Sequence, residues 1–151
     1  MNKNIYIEKK GYYKNGKLHF HFKFKYDLFH DIQKTYWSEG KLKSIEKYKN
    51  GIRHGIQKGY YLNGKLFYHF KYKNGLRHGI HKGYHDNGNL CYHNIYKNGM
   101  LDGKQFEYFY DGGIECSFNC KNNMLNDDKN IGSHTIYKND LLQGIEIEIF
   151  K

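Results

Sequence analysis

A period of 24 residues dominates the chain. Asn15-Gly16, Glu39-Gly40, Asn63-Gly64, Asn87-Gly88 and Asp111-Gly112 follow one another at that spacing without a gap. A second series, Asn50-Gly51, Asn74-Gly75 and Asn98-Gly99, keeps the same step, with Tyr26-Asp27 before it and Asn122-Asn123 after it as altered members. A third runs His30, His54, His78 and then Asp102. A fixed period of this size marks stacked units, each too small to bury a core alone. Asn-Gly between alternating segments is a strong hairpin signal, because both central residues of the favoured turn take φ > 0. Each unit is therefore expected to hold two turns and two strands.

The segment after the first turn alternates. Leu18, Phe20, Phe22, Phe24 and Tyr26 fall on one side, and Lys17, His19, His21, Lys23 and Lys25 on the other. That is the period of a strand, not of a helix. Composition agrees: the 151 residues include 17 Gly, 16 Tyr and 10 Phe but no Pro, Ala or Val, so the best helix former is missing. The expected fold is all-β, an elongated single-layer antiparallel meander of stacked hairpins. About twelve strands at about 4.8 Å each would make it roughly 50–55 Å long.

A register centred on Asn63-Gly64 sets Gly59 opposite Tyr68, and likewise Gly11 opposite Phe20 and Gly83 opposite Tyr92. Where the glycine is lost the large partner is lost too, as in Thr35 with Ser44 and Glu107 with Cys116. A glycine leaves room for a ring to lie across its strand.

These units resemble MORN repeats in their variant form, with a Y-Y-x-N-G-K-L start and a Y-K-N-G-x-x-x-G second half. Residues 59–80 fit closely and residues 35–56 and 83–104 fit well. The resemblance covers about residues 11–150 and makes 1–151 a single repeat array, with units at about 11–34, 35–58, 59–82, 83–106 and 107–130. The register breaks after about Asp127, leaving a shortened closing unit over 131–151 whose last strand is expected at Ile145–Phe150. The resemblance implies scaffolding and protein–protein contact, with a disputed membrane or phosphoinositide association. It also implies, for bacterial members of the variant form, an antitoxin-like role against one cognate toxin.

The formal charge of +10 is unevenly placed. Residues 1–85 hold 19 Lys and Arg against 5 Asp and Glu, a net of +14, while residues 86–151 hold 6 against 10, a net of −4. Such a split suits a polyanionic partner or head-to-tail association. An AT-rich genome would also enrich lysine, as it would Asn, Ile, Tyr and Phe. The lysines nevertheless form columns at the repeat spacing. One contains Lys25, Lys49, Lys73, Lys97 and Lys121; others contain Lys17, Lys41 and Lys65; Lys23, Lys47 and Lys71; and Lys10, Lys34, Lys58 and Lys82. All are expected on one face, as an anion-binding lattice or a solvated surface. The opposite face, with Tyr61, Leu66, Tyr68, Phe70, Tyr72 and Tyr92, is the candidate aromatic groove. It is expected either to pack on itself or to receive a partner, since a single layer cannot cover both faces.

No catalytic constellation is legible. The serines lack a supporting motif, Glu146 and Glu148 alternate with Ile145, Ile147 and Ile149, and no phosphate-cradling G-x-x-x-x-G-K-[ST] occurs. Repeat copies of histidine stand about 10 Å apart, too far to share a metal. Their expected place is turn-side or solvated, with protonation adding positive charge below about pH 6.5. Cys116 and Cys120, four apart on one strand, would lie roughly 13 Å from each other, beyond disulfide reach. Three cysteines, no apolar run of membrane length and no signal segment lead to an intracellular, cytoplasmic expectation, with a membrane-peripheral place as its variant.

No cofactor or metal is expected. The leading expectation is a non-catalytic interaction scaffold with a protein partner. A peripheral binder of anionic membrane is the alternative, the antitoxin-like role is third, self-association is a further outcome, and nucleic acid is disfavoured.

Overall fold

The computed structural model describes residues 6–125, 134–138 and 141–146. Every regular element among them is a strand, and no helix is long and apolar enough to cross a membrane. Five outgoing strands each follow a first-series turn, and β1 (Tyr6–Tyr12) precedes the first of them: β1 leads into β2 (Leu18–Lys25), and the return is β3 (Leu28–Phe29) plus β4 (Asp31–Tyr36). The pattern repeats as β5 (Leu42–Lys49) with β6 (Ile52–Tyr60), then β7 (Leu66–Lys73) with β8 (Leu76–Arg77) and β9 (Gly79–Tyr84). It continues as β10 (Leu90–Lys97) with β11 (Met100–Leu101) and β12 (Gly103–Tyr108), then β13 (Ile114–Lys121) with β14 (Met124–Leu125). All fourteen belong to one antiparallel sheet in sequence order, and β15 (His134–Lys138) pairs with β16 (Leu141–Glu146) in a separate hairpin. The meander of stacked hairpins is thus the observed fold. Of the closing strand expected at 145–150, residues 147–150 lie outside the described residues.

The two turn series differ, which corrects the expectation that both central residues take φ > 0. In the second series both do: Asn74 has φ 52° and Gly75 φ 83°, and Asn50 and Asn98 match Asn74. In the first series only the glycine does, as with Gly64 at φ 86°. There Gly64 N–H donates to Tyr61 C=O and Tyr61 N–H to Lys65 C=O, which closes a three-residue loop with a left-handed glycine. Asn63 Oδ1 accepts Lys65 N–H at 2.9 Å, so this asparagine braces the turn through its side chain. The longer loop slips the register by one beside it. Gly59 faces Tyr68 as expected, but Tyr60 faces Leu66.

The return strands carry a kink that the alternation alone does not announce. Asp31, Gly55, Gly79 and Gly103, at the repeat spacing, all have left-handed φ, from 63° to 109°. The kink breaks the backbone ladder: the carbonyls of residues 23, 71 and 95 on the facing strands still accept from His30, His78 and Asp102 N–H, but the N–H groups of residues 23, 47 and 95 need side-chain partners. A side chain two residues beyond each kink supplies them. Gln33 accepts from Lys23 N–H at 2.7 Å and donates to Lys23 C=O at 2.9 Å. Gln57 does the same for Lys47, and Gln105 for Ile95. In the third copy His81 Nε2–H donates to Lys71 C=O at 2.7 Å. These four are the buried polar residues of the described chain, whereas its buried apolar residues are only Leu101 and Cys120.

Stacking between units is largely polar. The Tyr13 and Tyr61 hydroxyls, the Trp37 indole and His85 each donate to a carbonyl 23 residues ahead. Asn15, Asn63 and Asn87 add side-chain amide donors to the next turn. On the other edge, Gly51, Gly75 and Gly99 N–H groups donate to Phe29, Arg53 and Arg77 carbonyls. Each row of turns is therefore hydrogen-bonded along the array.

Candidate interaction surfaces

The lysine columns do not act alike. Lys17, Lys41 and Lys65 donate through Nζ to Glu39, Leu62 and Asn87 carbonyls, so this column brackets one turn to the next. Lys23 lies 3.3 Å from Glu8. Lys47 and Lys71 run their stems past Gly55 and Gly79 at the kinks. Lys25 sits over the Tyr6 ring at 5.2 Å. Lys49, Lys73 and Lys97 flank the second-series turns on the same side.

Each lysine beside a second-series turn has an apolar cross-strand partner. The pairs are Lys25 with Leu28, Lys49 with Ile52, Lys73 with Leu76, Lys97 with Met100 and Lys121 with Met124. Paired residues share a side of the sheet. These five apolar side chains are 48%, 50%, 51%, 39% and 68% exposed, far from the burial usual for their type. Leu28, Ile52 and Leu76 lean on the glycine of the next turn, which aligns them into a ridge. Ile32, Ile56 and Ile80, also at the repeat spacing, are exposed on the same side. The sequence carries this ridge as a further column, at 28, 52, 76, 100 and 124, hidden by its mixed residue types.

A transverse row crosses the same side: Lys10, His21, Lys34, Ile45, Lys58, His69, Lys82 and His93 are successive cross-strand partners. Partial burial first, then Lys58 and Lys82, hold His69 below its usual range, and burial with Lys82 does so for His93. These two histidines therefore charge later on acidification than the pH 6.5 expectation assumed.

The aromatic side is packed on itself. Tyr68 stacks on Phe70 at 4.7 Å, Phe70 on His81 at 4.8 Å, and His81 meets Tyr96 at 4.7 Å. Tyr72 lies 5.5 Å from His81, and Tyr92 6.4 Å from Phe70. Leu66 continues this side beside the turn. The Tyr68 and Tyr92 rings lie on Gly59 and Gly83, where a Cβ would sit inside contact distance of the ring carbons. Thr35 and Ser44, which replace that pairing, share a hydroxyl hydrogen bond of 2.6 Å. Burial pushes both phenols up to about 12 and His81 down to about 4.

Tyr61 is a correction. It sits at the turn with its ring 4.8 Å from Phe67, the residue of opposite alternation, and its hydroxyl engaged by Tyr84 C=O. The three-residue loop displaces it from the row of Tyr68, so it braces repeats instead of walling a groove.

Among the described residues, no three His, Cys, Asp or Glu side chains converge as a metal site would need, and Cys91, Cys116 and Cys120 are free thiols.

A family model described as MORN repeat variant matches residues 32–50, 53–74 and 77–98. The matched segments take in β4–β5, β6–β7 and β9–β10, each built around a first-series turn. No similar curated protein and no similar solved structure was found.

Proposed function

Residues 32–98 are three consecutive MORN repeats of the variant form, a repeat generally associated with protein or membrane interactions and typically non-catalytic, and on that premise we propose that the chain is a non-catalytic interaction scaffold. Its contact surface is the lysine side, along the ridge from Leu28 to Met124. One observation supports this above the rest: at five successive turns an exposed apolar residue stands beside a lysine. Exposed apolar side chains aligned in this way mark a surface awaiting a partner. The flanking cations select a partner that is itself apolar and acidic. The antitoxin-like role is one form of this reading, with a single toxin as partner.

The test is affinity capture from the native cell, comparing the wild type with Ile52→Gln/Leu76→Gln/Met100→Gln. A protein held by the first and released by the second supports the reading. Equal capture by both contradicts it.

A second reading, an anionic membrane surface, is favoured by the same pairing of apolar side chains with lysines. Apolar residues can enter the headgroup boundary while each nearby lysine adds about 1 kcal/mol of attraction to anionic lipid. Co-sedimentation with anionic and neutral vesicles at low and high salt separates the two readings. No preference for anionic vesicles at low salt would remove the membrane.

A further inference from the structure

Two consecutive repeats place an arginine at the same point of the aromatic side, and only one of them meets an acid. Arg53 pairs with Tyr48 across the strands, and its Nη2 lies 3.3 Å from Glu46 Oε2. One unit later Arg77 pairs with Tyr72, but the position equivalent to Glu46 is Phe70, stacked on His81. Arg77 lies over the Tyr96 ring, 5.3 Å from its centroid, and donates to its hydroxyl at 3.1 Å. Among the described residues no carboxylate comes within ion-pair distance of it. A guanidinium positioned by rings yet lacking an anion is preorganised to take a carboxylate from outside.

The same repeat also leaves room for one. Positions 22, 46, 70, 94 and 118 read Phe, Glu, Phe, Asn and Phe. Asn94 is too short to fill the space that Phe70 fills one unit earlier. A cavity of about 290 Å³ opens there, lined by Arg77, Asn94, Tyr96, Leu101, Glu107 and Phe118. It lies at the bottom of the range of about 300–1,000 Å³ for small-molecule sites, so it suits one side chain better than a cofactor. Asn94 Oδ1 is buried with no hydrogen-bond partner, and Glu107 adds a second acceptor.

We propose that this cavity seats a glutamate or aspartate side chain on an extended segment of a partner protein. The carboxylate meets the Arg77 guanidinium, as Glu46 meets Arg53 within the chain. The segment's backbone N–H groups donate to Asn94 Oδ1 and Glu107, which a bare anion could not do. The seat is on the aromatic side, so it is a second contact, separate from the ridge.

The test selects peptides from a random displayed library with the full chain as bait. Enriched peptides are expected to share one acidic position, and changing that acid to its amide should weaken binding about tenfold or more. Arg77→Met should cause the same loss. Asn94→Phe, which keeps the charge but fills the room, should also cause it, while Lys14→Glu, exposed in the first loop, should leave binding intact. Melting curves of both seat variants establish that they are folded. Recovery of no binder, of binders without a shared acid, or of binders equally held by Arg77→Met and Asn94→Phe would overturn the proposal.

Discussion

Gly59 and Tyr68 work as one object, since the ring occupies the space that any larger residue at 59 would need. Gly59→Ala should therefore destabilise by about 1–3 kcal/mol, the cost of overpacking, although alanine is otherwise the better strand residue. In a Tyr68→Leu background that penalty should largely vanish, which a denaturation double-mutant cycle would reveal. Gln57 is the opposite kind of residue, buried for what it donates and accepts. Gln57→Leu keeps its bulk but strands Lys47 N–H, at about 1–3 kcal/mol, and takes one donor from Lys47 C=O. His81 holds only the carbonyl of the equivalent pair, so His81→Gln should gain about 0.5–1.5 kcal/mol less whatever ring stacking it loses. Because burial lowers the folded-state pKa of His81 to about 4, the unfolded chain takes up its proton first. Stability is then complete above about pH 6.5 and is lost as pH falls towards 4. Melting temperatures of His81→Gln should fall less steeply across that window, with His69 and His93 contributing to the slope that remains. The glycine–ring pairs were legible because two columns gained and lost members together. The glutamine column was not, because its partners are backbone groups, which leave no mark in a sequence, and because His81 interrupts it.

At the scale of the element, each hairpin is asymmetric. In four units the outgoing strand has no left-handed residue, whereas the return bends at one: Asp31, Gly55, Gly79 or Gly103. Strand positions followed from the alternation and the Asn-Gly pairs, but the turn types did not, since the same dipeptide builds two geometries. In the first, Asn side chains cap the loop; in the second, Asn backbones enter the left-handed region. The lysine columns were legible as columns, yet which of them face outward depends on what each stem and ammonium group touches. Lys17, Lys41 and Lys65 engage neighbouring turns. Glutamate at Lys49, Lys73 and Lys97 should accordingly abolish any low-salt preference for anionic vesicles while far-ultraviolet dichroism stays unchanged. Glutamine at Lys17, Lys41 and Lys65 should instead lower the melting temperature and leave vesicle preference in place.

At the scale of the molecule, the fold is an open sheet in which hydrogen-bonded turns and stacked rings replace a second layer. The period alone made that architecture readable. The contact surface was less so, because the aromatic side, richest in large residues, is the self-packed one, while the exposed apolar surface lies among the lysines. X-ray scattering should return a radius of gyration above the roughly 15 Å of a compact chain of this length. The measurement that bears most directly on the proposed role is the paired capture experiment with the ridge variant Ile52→Gln/Leu76→Gln/Met100→Gln. A partner retained by the wild type should be lost from a variant whose melting temperature is unchanged. Retention of the same proteins by both would contradict it.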